Sequence, residues 1–303
     1  MKKYILLAIA FISSCHLYAQ QDPLYSQYLN NPIVLNPAYT GINDVFTASM
    51  GYRGQWNGLE GAPTTFYATA HSSLLDNKIG AGLTIIRDEV GVNTNTQVNL
   101  SGSYKIEFNN YTFSFGMQTG INAYSEDNSD LLLSDPNDPV FGTNEQFTKV
   151  NFGAGAILKG DRFFIGLSVP RLINSKEEVA LINEEVEIFS RHYYLGLGYA
   201  FTLNSNLALK TGALIKAVSD VPASVDFSAS VLIKDKYSVG ALTRNLETYG
   251  LLLGALINDN LHFNYTFEIP TDQSVGSQFN THEITLAIDL ELFDGHFIKP
   301  RYF

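Results

Sequence analysis

The run Tyr111-Thr112-Phe113-Ser114-Phe115-Gly116-Met117-Gln118-Thr119-Gly120 decides the fold. Tyr111, Phe113, Phe115, Met117 and Thr119 alternate with Thr112, Ser114, Gly116, Gln118 and Gly120. A period of two belongs to a β-strand whose two faces meet different surroundings. The pattern recurs where Leu261, Phe263, Tyr265, Phe267 and Ile269 alternate with His262, Asn264, Thr266 and Glu268. It recurs again where Ile284, Leu286, Ile288 and Leu290 alternate with Thr285, Ala287, Asp289 and Glu291. One face of each segment suits hydrocarbon and the other a polar interior.

Working outward, segments of this kind fall at 45–56, 63–74, 78–88, 94–107, 110–124, 147–158, 161–170, 189–201, 206–218, 222–233, 236–243, 248–257, 260–270 and 280–291. That is about fourteen strands, an even number of the sort found in closed antiparallel barrels. Every second connection is tight, around Asp76-Asn77, Asn109-Asn110, Lys159-Gly160, Asn204-Ser205, Lys234-Asp235 and Asn258-Asp259. The intervening connections are mostly longer or more polar, above all 125–146, 171–188 and 271–279. Short turns on one rim and long loops on the other match the periplasmic and outer faces of an outer-membrane barrel, and this parity puts both chain ends on the periplasmic side. A soluble β-sandwich shares the alternation and the turn residues. The loop parity favours the barrel, as do aromatic residues near strand ends, Trp56, Tyr104, Tyr111, Tyr237 and Tyr249.

Composition agrees. The chain is 45% hydrophobic and 13% aromatic but only 16% charged, against about 25% charged in soluble domains. Residues 1–19 read as a secretory leader: Lys2-Lys3, an apolar core from Tyr4 to Ile12, then Leu17-Tyr18-Ala19 before Gln20. Cleavage is expected after Ala19; the alternative is lipidation at Cys15. With cleavage after Ala19 the exported chain keeps no cysteine, so neither a disulfide nor a thiol nucleophile is expected. No later apolar run is long enough for a spanning helix, and closed β-structure is then the membrane solution that pairs every backbone group. The net charge of −11 argues against nucleic acid as a partner.

One stretch fits neither strand nor loop: Gln21 to Gly41, QDPLYSQYLNNPIVLNPAYTG. Asn31-Pro32 and Asn36-Pro37 enclose Ile33-Val34-Leu35, and each proline fixes its own φ and removes a backbone donor. The segment is expected to lie extended and to hold its shape through contacts, docking beneath the barrel, entering it as a plug, or offering a surface to a partner. A more modest role is to cap the first strand and seal the periplasmic mouth. The chain divides into the leader (1–19), an N-terminal periplasmic or plug segment (20–44), the barrel (45–292) and a periplasmic tail (293–303). Pro300 speaks against the tail adding a strand.

Arg53, Lys210, Lys216, Asp226, Glu268, Asp289 and Glu291 are expected to face the lumen, as wall charges or as a seat for a plug or ligand. Catalysis finds little support. His71-Ser72-Ser73 is the one adjacent His/Ser cluster, yet neighbours on a strand point to opposite faces, so His71 would need a nucleophile from elsewhere. No metal-ligand or phosphate-binding motif occurs, and no cofactor or metal is expected. Asp127, Asp130, Asp135 and Asp138 match no recognised calcium loop and read as a solvated acidic surface. Leu131-Leu132-Leu133 beside them suits the barrel mouth or a partner contact.

Four stretches resemble the opening of the PorP/SprF family of outer-membrane proteins of the type IX secretion system and its gliding machinery. They are Tyr28-Leu29-Asn30-Asn31-Pro32, Asn36-Pro37-Ala38-Tyr39-Thr40-Gly41, Tyr52-Arg53-Gly54-Gln55-Trp56 and Gly61-Ala62-Pro63-Thr64-Thr65. The resemblance implies a non-enzymatic barrel in outer-membrane lipid whose partners are a secreted adhesin's C-terminal domain, periplasmic secretion-ring subunits, or both. Asn31, Pro32, Leu35, Asn36, Pro37, Tyr39 and Gly41 would carry the partner or plug motif. Arg53, Gln55, Trp56 and Pro63 would mark the start of the barrel. The alternative functions are a passive porin or transporter for a small solute and, third, an outer-membrane hydrolase.

Overall fold

The alternating segments become strands because each lays a continuous apolar row outward and a small or polar row inward. A computed structural model describes residues 25–129, 145–179, 184–219, 221–271, 277–293, 296–298 and 302, with backbone alone for 176–179 and 184–188. The leader, Cys15, Asp130, Asp135, Asp138 and Leu131–Leu133 lie outside the described residues.

The first seven barrel strands are β1 (Phe46–Asn57), β2 (Thr64–Leu74), β3 (Ile79–Val90), β4 (Asn93–Phe108), β5 (Tyr111–Glu126), β6 (Gln146–Gly160) and β7 (Phe163–Val169). A hairpin of β8 (Ser175–Val179) and β9 (Glu184–Phe189) forms its own two-stranded sheet. The barrel resumes with β10 (His192–Asn204), β11 (Leu207–Val218), β12 (Val221–Ile233), β13 (Tyr237–Arg244), β14 (Thr248–Leu256), β15 (Leu261–Pro270) and β16 (Asn280–Leu290). Each barrel strand pairs antiparallel with its neighbour, and β1 closes on β16 with Phe46 opposite Leu290 and Gly54 opposite His282. The result is a closed antiparallel barrel of fourteen strands.

The hairpin occupies part of the stretch expected as the loop 171–188. Its strands run only Ser175–Val179 and Glu184–Phe189, shorter than the roughly 9–11 residues a strand needs to cross a bilayer. Phe189 accordingly ends β9, and β10 starts at His192, not at the expected 189. The tight turns at residues 75–78, 109–110, 161–162, 205–206, 234–236 and 257–260 share one rim with the start of β1 and the end of β16. Asn77 (φ 61°) and Asn109 (φ 53°) supply left-handed backbone in two of them, a conformation asparagine tolerates. The other rim carries the strand ends joined by the longer connections 58–63, 127–145, 170–191 and 271–279 and by the short links 91–92, 219–220 and 245–247.

The decisive alternation lands as expected. Phe113, Phe115 and Met117 are exposed on the outer wall, while Ser114 is fully buried inside. The interior is not a wet channel there, because residues 25–45 run through it. Within this segment Pro32–Val34 and Pro37–Tyr39 form two 3₁₀ turns. That corrects the expectation of an extended chain. Each proline occupies the first turn position, where its fixed φ is already suitable and its missing donor costs nothing. Asn36 is itself extended (φ −139°, ψ 109°) and its Oδ1 accepts the Ala38 N–H at 2.9 Å, so the pre-proline bias acts on the asparagine alone.

One further correction concerns the C-terminal end. Glu291 does not face the lumen: it lies beyond β16, exposed, and accepts the Ile298 N–H at 2.9 Å. The described tail residues fold back over the tight-turn rim. The buried His296 reaches Ser73 with Nε2 2.9 Å from its carbonyl oxygen. Tyr302 packs against Phe164 and Ala200, whose side chains face inward.

Candidate functional site

A chain segment without a strand partner must find side-chain partners for its backbone groups, and the lumen wall supplies them. Ser168 donates to the Leu35 carbonyl at 2.7 Å, Ser114 to the Ala38 carbonyl at 2.7 Å and Ser103 to the Thr40 carbonyl at 2.6 Å. Lys105 donates to the Gly41 carbonyl at 2.8 Å and also pairs with Asp44. The Gly41 N–H donates to Nδ1 of His71 at 3.1 Å. Asn36 donates through Nδ2 to the carbonyls of Ala156 and Leu167 at 3.3 and 3.2 Å, tying the plug to β6 and β7.

Apolar contacts fill the remaining space. Tyr25, Tyr28, Val34 and Leu35 pack with Tyr67, Ile86 and Tyr194. Ile33, Ala38, Tyr39 and Ile42 pack with Ile157. The second 3₁₀ turn lies against β4, β5 and β6. Two wall positions there admit no side chain: a methyl on Gly116 would overlap the Pro37 carbonyl, and one on Gly155 would overlap the Asn36 amide oxygen. Burial pushes the Tyr28 phenol up to about 12, so its hydroxyl stays protonated 3.2 Å from Ser228 Oγ.

At the long-loop end of the plug sits a buried ionic network. Arg53 bonds Glu268 at 2.7 Å and Glu283 at 3.2 Å, and all three side chains are almost fully buried. Arg244 grips Asp226 through Nε and Nη2 at 2.9 and 2.8 Å and lies 3.8 Å from Glu268. Three carboxylates therefore face two guanidinium groups. The plug supplies the missing donors: the N–H groups of Ser26 and Gln27 donate to Glu283 at 2.8 and 3.3 Å, and the Ser26 hydroxyl bonds Glu268. Tyr67 adds its hydroxyl to Glu283 at 3.2 Å. Buried charges are tolerable when paired and fully hydrogen-bonded. Residues 26 and 27 supply bonds to Glu268 and Glu283 that the wall does not, although the buried Arg53 Nε still lacks a hydrogen-bond partner among the described residues.

Of the residues expected to face the lumen, Arg53, Asp226 and Glu268 come together in this network. Asp289 stands apart, accepting from Thr47 at 2.6 Å and contacting His262 Nε2 at 3.1 Å. Lys216 lines a small cavity beside Tyr25 and Leu35, and Lys210 lines a larger one on the tight-turn side. Glu283 and Arg244 were not singled out in the sequence. Glu283 shares the parity of Thr285 and Asp289, so extending the alternation one step would have found it. Arg244 falls one residue past the expected end of its strand.

The motif residues separate into two places. Asn31, Pro32, Leu35, Asn36, Pro37 and Tyr39 are buried in the plug, and Gly41 (φ 65°) lies against the Ser72 backbone, where no side chain fits. Arg53 joins the network, whereas Gln55, Trp56 and Pro63 sit at the long-loop rim. There the Gln55 N–H meets the Pro63 carbonyl at 2.9 Å and the Trp56 N–H meets Thr281 at 3.2 Å. His71 is occupied by Gly41 and lies edge-on to Tyr39 at 6.0 Å. Ser72 bonds the Ser73 carbonyl, and Ser73 bonds Asn77. Among the described residues no group of three or more His, Cys, Asp or Glu is placed to hold a metal.

The family described as Type IX secretion system membrane protein PorP/SprF matches residues 17–288. No curated protein matches. Among solved structures, the Acinetobacter baumannii outer membrane protein Omp33 is 9% identical with a TM-score of 0.48, covering 83% of this chain and 100% of its own. A Pseudomonas aeruginosa FadL homologue is 13% identical, with a TM-score of 0.47 and coverage of 85% and 93%. Escherichia coli outer membrane phospholipase A is 12% identical, with a TM-score of 0.38 and coverage of 82% and 94%. At these identities and scores, nothing about activity passes to the present chain.

Proposed function

The chain belongs to the type IX secretion system membrane protein PorP/SprF family, and from that premise we propose that it is a sealed outer-membrane barrel that works by binding a protein partner. The partner class is a secreted adhesin's C-terminal domain or a periplasmic subunit of the secretion machinery, and the barrel supports export or surface attachment of the adhesin. The observation that carries this reading is the plug. A lumen occupied by residues 25–45 and locked by Ser26 and Gln27 onto Glu268 and Glu283 suits a scaffold better than a passive solute channel. The plug also withdraws His71 and the wall serines from any role as nucleophile and base, which weighs against the hydrolase reading.

Two measurements on the full chain test the proposal. Gentle detergent extraction from the native membrane is expected to recover the barrel with a stoichiometric protein partner. In planar bilayers, the purified barrel is expected to stay closed. A steady open pore with no co-purifying protein would instead support solute transport.

A further inference from the structure

The plug has a direction, and its two ends lie towards opposite mouths of the barrel. Its last residues meet β1 at the tight-turn rim, where Lys105 holds Gly41 and Asp44 from a place three residues short of the tight-turn end of β4. Followed backwards, the chain passes Ser114 on β5, the carbonyls of Ala156 and Leu167 on β6 and β7, and then β11 and β12, where Leu29 meets Gly212 and Tyr28 meets Ser228. It winds round the inner wall as it rises. Ser26 and Gln27 then bond Glu268 and Glu283, and Arg53 donates to the Ser26 hydroxyl. Glu268 stands two residues, Glu283 three and Arg53 four from the long-loop ends of their strands.

Chain length then decides where the amino terminus can go. The expected cut after Ala19 leaves five residues, Gln20 to Leu24, ahead of Tyr25. Fully extended, they span at most about 18 Å. The long-loop strand ends lie about 7–13 Å of strand beyond the partners of Ser26, at about 3.3 Å per residue, well within that reach. The tight-turn ends of the same three strands are seven residues away, about 23 Å of strand at the same rise. Strand tilt brings that distance only to the limit of the reach. The rest of the plug and the tail also stand in that direction, with His296 at Ser73 and Tyr302 against Phe164.

We propose that the amino terminus of the exported chain emerges at the long-loop, outer face and is the handle by which a protein partner outside the cell engages the plug. Strand parity fixes only where β1 begins; the plug carries the chain back across the barrel, so the two chain ends lie on opposite faces. A partner gripping residues 20–24 acts directly on Ser26 and Gln27, the residues seated on Glu268 and Glu283. The handle rests on the partner-binding reading above and selects a surface partner over a periplasmic one, whereas the position of the terminus stands without that reading.

Cys15 is the single cysteine of the sequence and leaves with the leader, so a cysteine placed in the exported chain is its one thiol. The test labels intact cells with a membrane-impermeant maleimide and compares Gln21→Cys with Glu60→Cys, exposed on the long-loop rim, and Lys78→Cys, exposed on the tight-turn rim. A heat-modifiable gel shift checks that each barrel is folded. Gln21→Cys is expected to label in intact cells as fully as Glu60→Cys, and Lys78→Cys only after the outer membrane is permeabilised. Labelling of Gln21→Cys only after permeabilisation, or not at all in folded barrels, overturns the outer terminus. An intact mass showing acylated Cys15, or a cut elsewhere than after Ala19, overturns the argument from reach. Attaching a polyethylene-glycol maleimide to the Gln21→Cys chain on intact cells is expected to abolish recovery of the partner on gentle extraction, while the same block on Glu60→Cys leaves recovery unchanged. Equal recovery with and without the block at position 21 overturns the handle while partner binding stands. If no partner is recovered from any sample, the broader reading and the handle fall together, and the outer terminus is decided by the labelling alone.

Discussion

The two sides of the lumen are built differently. Against β4 to β7 the wall offers serines and glycines, and the plug lies directly on it, with donors matched to the carbonyls of Leu35, Ala38 and Thr40. Against β11 to β15 on the tight-turn side, the wall carries lysines and leaves a cavity. Small wall residues therefore mark where backbone approaches backbone. Among the described residues, the lumen is packed on one side and leaves a cavity on the other.

That contrast can be broken at its strongest point first. Arg53→Ala removes the cation shared by Glu268 and Glu283, and breaking a buried pair in this way costs about 3–5 kcal/mol. A large drop in the thermal unfolding midpoint is expected, whereas Lys236→Ala, exposed on the tight-turn rim, should change stability by about 0.5 kcal/mol or less. Gly116→Val drives a side chain into the Pro37 carbonyl, with an overpacking cost of about 1–3 kcal/mol. Conductance steps in planar bilayers and faster proteolysis within residues 25–44 should follow, while Ser238→Val in the open cavity should leave the barrel closed. Asn36→Ala deletes the bonds to Ala156 and Leu167 together with the cap on Ala38, for about 1–2 kcal/mol. Its effect on plug protection should exceed that of paired alanines in the 171–188 connection. The smallest expected change is Ser114→Ala at about 1 kcal/mol, measured by hydrogen exchange at the Ala38–Thr40 amides. Equal exchange in wild type and variant would mean that the wall serines do not hold the plug.

Much of the barrel was legible because its constraint is local. Hydrocarbon outside and polar groups inside impose a two-residue rhythm on every strand, so Phe113, Phe115 and Met117 announced their face without reference to any other strand. Turn position followed the same logic, as at Asn77 and Asn109. The β8–β9 hairpin escaped because no membrane imposes that rhythm on it. Arg244 escaped because the alternation was ended one residue early.

The plug was legible only as an exception. Asn31-Pro32 and Asn36-Pro37 excluded a membrane strand, but the choice between docking below the barrel and entering it depends on which strands close around it. Gly116 and Gly155 carried a trace of the answer as small inward positions, yet small residues alone do not say what approaches them. The sequence by itself determined a closed, lipid-facing barrel with about fourteen strands, since each strand's side-chain period is fixed along its own length. Tertiary structure alone decided that residues 25–45 occupy the lumen and that Ser26, Arg53, Asp226, Arg244, Glu268 and Glu283 meet in one network. Those groups come from six different segments, and which of them face one another is set by barrel closure rather than by anything within a single segment.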